Sequence, residues 1–504
     1  MKSRKTTRQL IALAGATALG AGALLSFSPA ALAAPQSYGN VDTAQPASIT
    51  VHKFLNQATP ITGDLSQAPA AGTFADPVAG VEFTVYPLLR AGLAVDLSDP
   101  AAWESLAALT PGAACTAPTG YTLGAGTAMP LTVSDGSSTL SLPVGLYQVC
   151  ETAAPSHIIE TAQPFVLTLP TPHQNGWVYD VHAYPKNGAG SITKTIAPQQ
   201  DLGLGAVVRF PTTVPVPRMA QAWTGFGIRD TLDARLTPVS LADVSVTVDG
   251  VAMDPTFYTV SVSGQTLSFE LTSTGVAWLN EGPNAHVGKN IEVTFAGTVT
   301  EIGGGSITNT AQFWPNNPGF DPSGEPPLPS NEVSTHWGNL ELVKRAAGST
   351  GASGTLGGAV FEIYNSSAPY AADCSASVAT GQPIAVGGTA TFTSNAAGVI
   401  SLDGLFVSDS VNPAIDNPHR CYVLKEVTAP AGYVLPSDPY TPVTILIGAT
   451  TTDNVEISNT QQGVPELPLT GAAGQILLIT GGLATVAVAV GLVMVRRRRE
   501  AAVR

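Results

Sequence analysis

ASITVHKFLNQ, residues 47–57, reads as a β-strand in which Ile49 and Val51 alternate with Thr50 and His52, and the alternation ends on a lysine, Lys53. The pattern returns far along the chain as GNLELVKRAAG (338–348), where the lysine is Lys344. Two further segments repeat in the same order. AGVEFTVY (79–86) is matched by GGAVFEIY (357–364), with Phe83 at the place of Phe361 and Tyr86 at that of Tyr364. YQVCETAAP (147–155) is matched by YVLKEVTAP (422–430), with Glu151 opposite Glu426 and Pro155 opposite Pro430. Three matches in one order predict two related β-sandwiches, over 34–187 and 338–462, the first with longer insertions.

Between them, residues 188–337 carry their own first strand, GSITKTIAP (190–198), and their own late strand, GSITNTAQFW (305–314). At 504 residues the chain is too long for one core and implies roughly three domains. Short runs of Val, Thr, Ile, Tyr and Phe are bounded by many Gly and Pro, which predicts an all-β protein. AAWESLAALTPG (101–112) is the best local helical segment, and NNPGFDPSGEPPLPSN (316–331) reads as an exposed loop before a last strand, EVSTHW (332–337). A net charge of −14 argues against a nucleic-acid binder, which needs a basic face.

Both ends read as export signals. A basic start, an apolar stretch and Ala31-Leu32-Ala33 predict a signal peptide over 1–33. ILLITGGLATVAVAVGLVMV (476–495) is long enough to cross a bilayer, and Arg496–Arg499 would stay on the cytoplasmic side. The four cysteines form an even set in an oxidising compartment. Of three connectivities, sequence neighbourhood favours Cys115–Cys150 and Cys374–Cys421.

LPLTG (Leu467, Pro468, Leu469, Thr470, Gly471) stands just before the apolar helix. Motif, helix and basic tail in this order resemble the cell-wall sorting signal of Gram-positive bacteria. WVYDVHAYPK (177–186) resembles the pilin motif W-x-x-x-V-x-V-Y-P-K of sortase-assembled pili: Trp177, Val181, Tyr184, Pro185 and Lys186 match, and Ala183 replaces the usual Val. The resemblance implies that a sortase cuts between Thr470 and Gly471, and that Lys186 of another copy attacks the resulting Thr-acyl enzyme.

The chain also resembles the pilin and collagen-adhesin sandwich domains, immunoglobulin-like folds that form intramolecular Lys–Asn isopeptide bonds. YVLKEVTAPAGY (422–433) looks like their E-box, with Val427 in place of Thr. The resemblance implies three tandem immunoglobulin-like β-sandwiches, of CnaB, CnaA and CnaB type. It implies the pairs Lys194–Asn309 with Asp230 and Lys344–Asn459 with Glu426. Lys53–Asn187 with Glu151 follows from the internal repeat, although some members of the family lack a bond here. In this chemistry a neutral lysine attacks the asparagine carbonyl carbon, the acid shuttles a proton, and ammonia leaves.

The implied protein is a major, or shaft, pilin with sortase, copies of itself, minor pilins and peptidoglycan as partners, and a host or bacterial ligand as a further expectation. No cofactor or metal is expected: the seven histidines show no HExxH or facial-triad spacing, and no GxSxG, Walker or GxGxxG motif is present. The alternatives are a monomeric wall-anchored adhesin, a basal pilin, or a surface hydrolase with sandwich spacers.

Overall fold

The computed structural model describes residues 41–463 and 472–501, apart from 175, 283 and 351–353. The expected signal peptide (1–33) and the LPLTG residues lie outside the described residues.

Two compact units emerge. The first comprises the described residues up to Pro155 together with Thr161–Asn187; the second comprises Ser156–Glu160 and the chain from Gly188 onward. In the first unit, Ala47–His52 is central, antiparallel to Ser137–Leu142 and parallel to Asp180–Ala183. A second sheet, built on Glu82–Arg90, Gly145–Ala153 and Phe165–Leu169, supplies the other half of the core. Ile49, Val51, Phe83, Val85 and Val149 are buried between the sheets, as the alternation of side chains requires. The segment expected to be helical is a 3₁₀ helix, Pro100–Ala108, capped by Asp99.

In the second unit, a sheet built on Val207–Pro215 and Asn290–Val299 faces one built on Phe226–Thr231 and Ala311–Pro315. Phe210, Phe226, Phe295 and Phe313 fill the space between. Val333–Ala346 is one unbroken strand of 14 residues. It pairs with Ser306–Asn309 at its start and with Val399–Asp409 and Thr450–Gln461 further along. The division at 337/338 expected from the repeat therefore falls within a strand rather than in a linker. Trp337 explains the continuity: it is buried, its amide donates to Gly305 O, and its ring meets Phe406 edge-on. The proline-rich stretch 316–331 is also less exposed than expected, since Phe320 and Leu328 are buried.

Cys115 pairs with Cys150 and Cys374 with Cys421, at Cα separations of 5.9 and 5.3 Å. The terminal helix, Ala472–Ala501, has a span from Leu478 with mean hydropathy 2.3 and none of it buried, long and apolar enough to cross a membrane.

The Cys374–Cys421 bridge closes a separation of 47 residues. Replacing both cysteines by serine is expected to lower the urea midpoint of the second unit by an equivalent of about 2–4 kcal/mol. Reductant should then shift the wild type but leave that transition of the variant unchanged.

Candidate functional site

A lysine that ends an apolar face of a strand has its amine carried into the core. Lys53 and Asn187 are both 0% exposed. Parallel pairing sets Phe54 opposite Lys186 and Leu55 opposite Asn187, so Lys53 lies two residues short of the register partner of Asn187. Glu151, on the facing sheet, joins them: Lys53 Nζ donates to its Oε2 at 2.7 Å and Asn187 Nδ2 to its Oε1 at 2.8 Å. Gly136 (φ +79°) permits this approach, since a Cβ there would lie 2.2 Å from Lys53 O.

The last sandwich repeats the arrangement. Lys344 faces Ile457 and Ala346 faces Asn459 across a parallel pair, the same offset of two. Lys344 Nζ lies 3.1 Å from Glu426 Oε2, and Asn459 Nδ2 donates to Glu426 Oε1 at 2.9 Å. All three side chains are buried.

In the middle sandwich the acid is Asp230, on Phe226–Thr231. Lys194 Nζ donates to its Oδ2, and Asn309 Nδ2 reaches the same oxygen at 3.3 Å. Lys194 belongs to a strand of two residues, Thr193–Lys194. Asn331 replaces missing ladder partners: Lys194 N donates to its Oδ1 and its Nδ2 donates to Lys194 O, both at 2.9 Å. Nothing in the sequence marked Asn331.

Each amine also lies over a buried phenyl ring, Phe83, Phe210 or Phe361, at 5.4, 5.0 and 6.0 Å from the centroid. Two of these rings are matched in the internal repeat, which was the available signal for them. Burial pushes Lys194 and Lys344 below the ordinary lysine value and Asp230 above the ordinary carboxylate value. For Lys194 and Asp230 the two directions converge on a neutral amine beside a protonated acid. Asn187, Asn309 and Asn459 each have a buried Oδ1 that accepts no hydrogen bond among the described residues.

Lys186 differs. Consecutive strand residues point to opposite faces, so with Asn187 inside, Lys186 faces outward and is half-buried. Its Nζ donates to Tyr184 O at 3.0 Å and lies 4.1 Å from the centre of the Phe74 ring. Burial, with a smaller contribution from Lys53, lowers its pKa to about 8. Of the other pilin-motif residues, Val181 is buried in the strand Asp180–Ala183 and Trp177 packs on Trp103 at 5.1 Å. Pro185 O accepts from Phe54 N.

The family described as Gram-positive pilin subunit D1, N-terminal domain, matches residues 44–188; a prealbumin-like fold domain matches 348–461 and the LPXTG cell wall anchor motif 459–501. The chain is 37% identical to the fimbrial subunit type 2 of Actinomyces naeslundii, over 98% of this chain and 97% of that one. The chain belongs to the Gram-positive fimbrial subunits. It is 28% identical to the fimbrial subunit type 1 of Actinomyces viscosus, over 98% of this chain and 99% of that one. The full-length major pilin SpaD of Corynebacterium diphtheriae superimposes with a TM-score of 0.66 at 27% identity, covering 84% of this chain and all of the other. The resemblance read from LPLTG and the pilin motif is thereby borne out: this is a sortase-linked fimbrial subunit anchored at the cell wall. Its matched relatives are structural subunits.

The lowered pKa of Lys186 links to stability. The folded fimbrial subunit binds fewer protons here than the unfolded chain, so stability rises as pH climbs from about 8 toward 10.5. The unfolding temperature of the first unit is expected to rise over that window in the wild type relative to Lys186→Met, which lacks this titration; parallel curves would contradict the assignment.

Proposed function

We propose that this fimbrial subunit is the shaft pilin, with Lys186 of one copy amide-linked to Thr470 of the next. The observation that carries the reading is the adjacency of Lys186 and Asn187 on one strand. One side chain enters the buried lysine–acid cluster and its neighbour faces a partner. A sortase cysteine attacks the Thr470 carbonyl carbon, forms a thioester, and releases the chain beginning at Gly471 with a free amine. The neutral Lys186 amine then attacks that thioester; an amide forms as the C–S bond breaks, and the proton lost by the amine passes to the leaving sulfur, regenerating the cysteine thiol.

Each sandwich, on this reading, closes its own isopeptide bond once: Lys53–Asn187, Lys194–Asn309 and Lys344–Asn459, with Glu151, Asp230 and Glu426 as proton shuttles. Turning each asparagine amide over presents its unpaired Oδ1 to the neighbouring carboxyl, which polarises the carbonyl whenever it holds the shuttled proton. The lysine nitrogen then bonds to Cγ, and the amide nitrogen departs as ammonia. The acid ends as it began, but the lysine is consumed, so the protein is not a turnover enzyme. The three sandwiches 34–187, 188–337 and 338–462 act as tandem shaft modules. Minor pilins, peptidoglycan and a surface ligand complete the set of partners.

Boiled cell-wall extracts should show a high-mass ladder for the wild type and a single anchored species for Lys186→Ala. A single band in both would leave a monomeric wall-anchored adhesin. Intact mass should fall short of the processed, disulfide-bonded sequence by one ammonia per internal bond. Glu426→Ala should restore one ammonia relative to its own sequence mass and leave Lys344 and Asn459 in separate tryptic peptides; an unchanged ammonia deficit would contradict the assigned shuttle.

A further inference from the structure

The loop between Leu55 and Val78 is clasped over the pilin motif. Tyr184 Oη donates to Asp64 O at 3.0 Å and Gln67 O at 2.5 Å, and His182 N donates to Leu65 O. Gly63 lies flat on the Tyr184 ring, where a Cβ would approach to 2.0 Å. Gln57 and Ala75 exchange two hydrogen bonds of 2.9 Å across the neck of the loop. The result is to deliver Phe74, which is buried, to the Lys186 amine. Its ring stacks on Phe54 at 4.9 Å and on Tyr184 at 5.3 Å, and the three rings surround Nζ at 4.1 to 5.9 Å.

We propose that Phe74 is a positioning residue for the linkage reaction: it packs dry against Lys186 and, with Phe54 and Tyr184, holds the amine out of water and aimed along the strand end. This rests on the assignment of Lys186 as the linking nucleophile. Two effects of the ring oppose each other. Its face attracts an ammonium, which favours the charged form. Excluding water disfavours the charged form, and the net direction is down, to about 8. At pH 7 roughly a tenth of such a lysine is free amine, against a few ten-thousandths of an ordinary one. Lys53 contributes by repulsion, but that contribution disappears once Lys53 becomes an amide, whereas the rings remain. The surrounding ionisable groups are committed elsewhere. Asp64 accepts from Ser66 and Gln67, His52 and His182 bond each other at 2.8 Å, and Glu151 bonds Lys53 and Asn187.

The test is trace acetylation of the full chain in detergent over a pH series without sortase, with the Lys186 peptide quantified by mass spectrometry against Lys289. The wild type should show a labelling midpoint near 8. Phe74→Ala should move it toward the ordinary lysine value, with roughly tenfold slower ladder formation at pH 7. Phe74→Leu keeps a bulky apolar side chain and loses the ring face, so its midpoint should lie at or below that of the wild type. An ordinary midpoint in the wild type, an unmoved one in Phe74→Ala, or a raised one in Phe74→Leu overturns the proposal. Loss of the ladder in Lys186→Ala, read separately, tests the linkage assignment itself.

Discussion

A lysine amine inside a β-sandwich must shed its charge or stand beside a carboxyl, because a lone buried ammonium is too costly to keep. That constraint organises every sandwich of this fimbrial subunit. The lysine sits on the first strand or just past its end and the acid comes from the facing sheet, so each amine pins two sheets together at one depth. The asparagine must then reach the same acid. In the first and last sandwiches it does so from a strand parallel to the first, two residues beyond the register partner of the lysine. A slip of one residue would turn the lysine or the asparagine to the opposite face. The middle sandwich uses the shorter Asp230, and both neighbours converge on one of its oxygens rather than bridging two.

Much of this was legible because the constraint leaves marks along the chain. Lys53 and Lys344, Phe83 and Phe361, and Glu151 and Glu426 recur in order, and the structure brings the first and last lysines to the acids the repeat assigns them. The Lys53–Glu151–Asn187 cluster was the least marked of the three in sequence, yet its geometry matches that of Lys344, Glu426 and Asn459. Other features left no local mark. The continuity of Val333–Ala346 through residue 337 depends on the Trp337 side chain being enclosed by residues distant in sequence. Asn331 substitutes for backbone pairing, and a lone asparagine after a proline-rich stretch reads only as a turn former. Phe74 lies in a Gly-, Ala- and Pro-rich loop with no periodicity, so only the clasp of Tyr184 reveals what it packs against.

With the bonds of the proposed function in place, connectivity alone decides which parts of the subunit carry tension. Load enters at Lys186 and leaves at Thr470. It follows the backbone to Lys194, crosses to Asn309, continues to Lys344, crosses to Asn459 and runs on to the sorting motif. Residues 195–308 and 345–458 lie off this path, so the cores built on Phe210 and Phe361 are spared from unravelling. The first unit up to Pro185 is off the path as well, so on that reading the Lys53–Asn187 bond would serve another end and hold still the strand that carries Lys186. The segment from Asn309 to Lys344 is the longest stretch of the path left without a covalent shortcut, and its protection is geometric. Asn309 pairs with Val333 at the end of the ladder farthest from Lys344. Pulling the two apart therefore loads the Ser306–Asn309 hydrogen bonds together, in shear, instead of opening them one at a time.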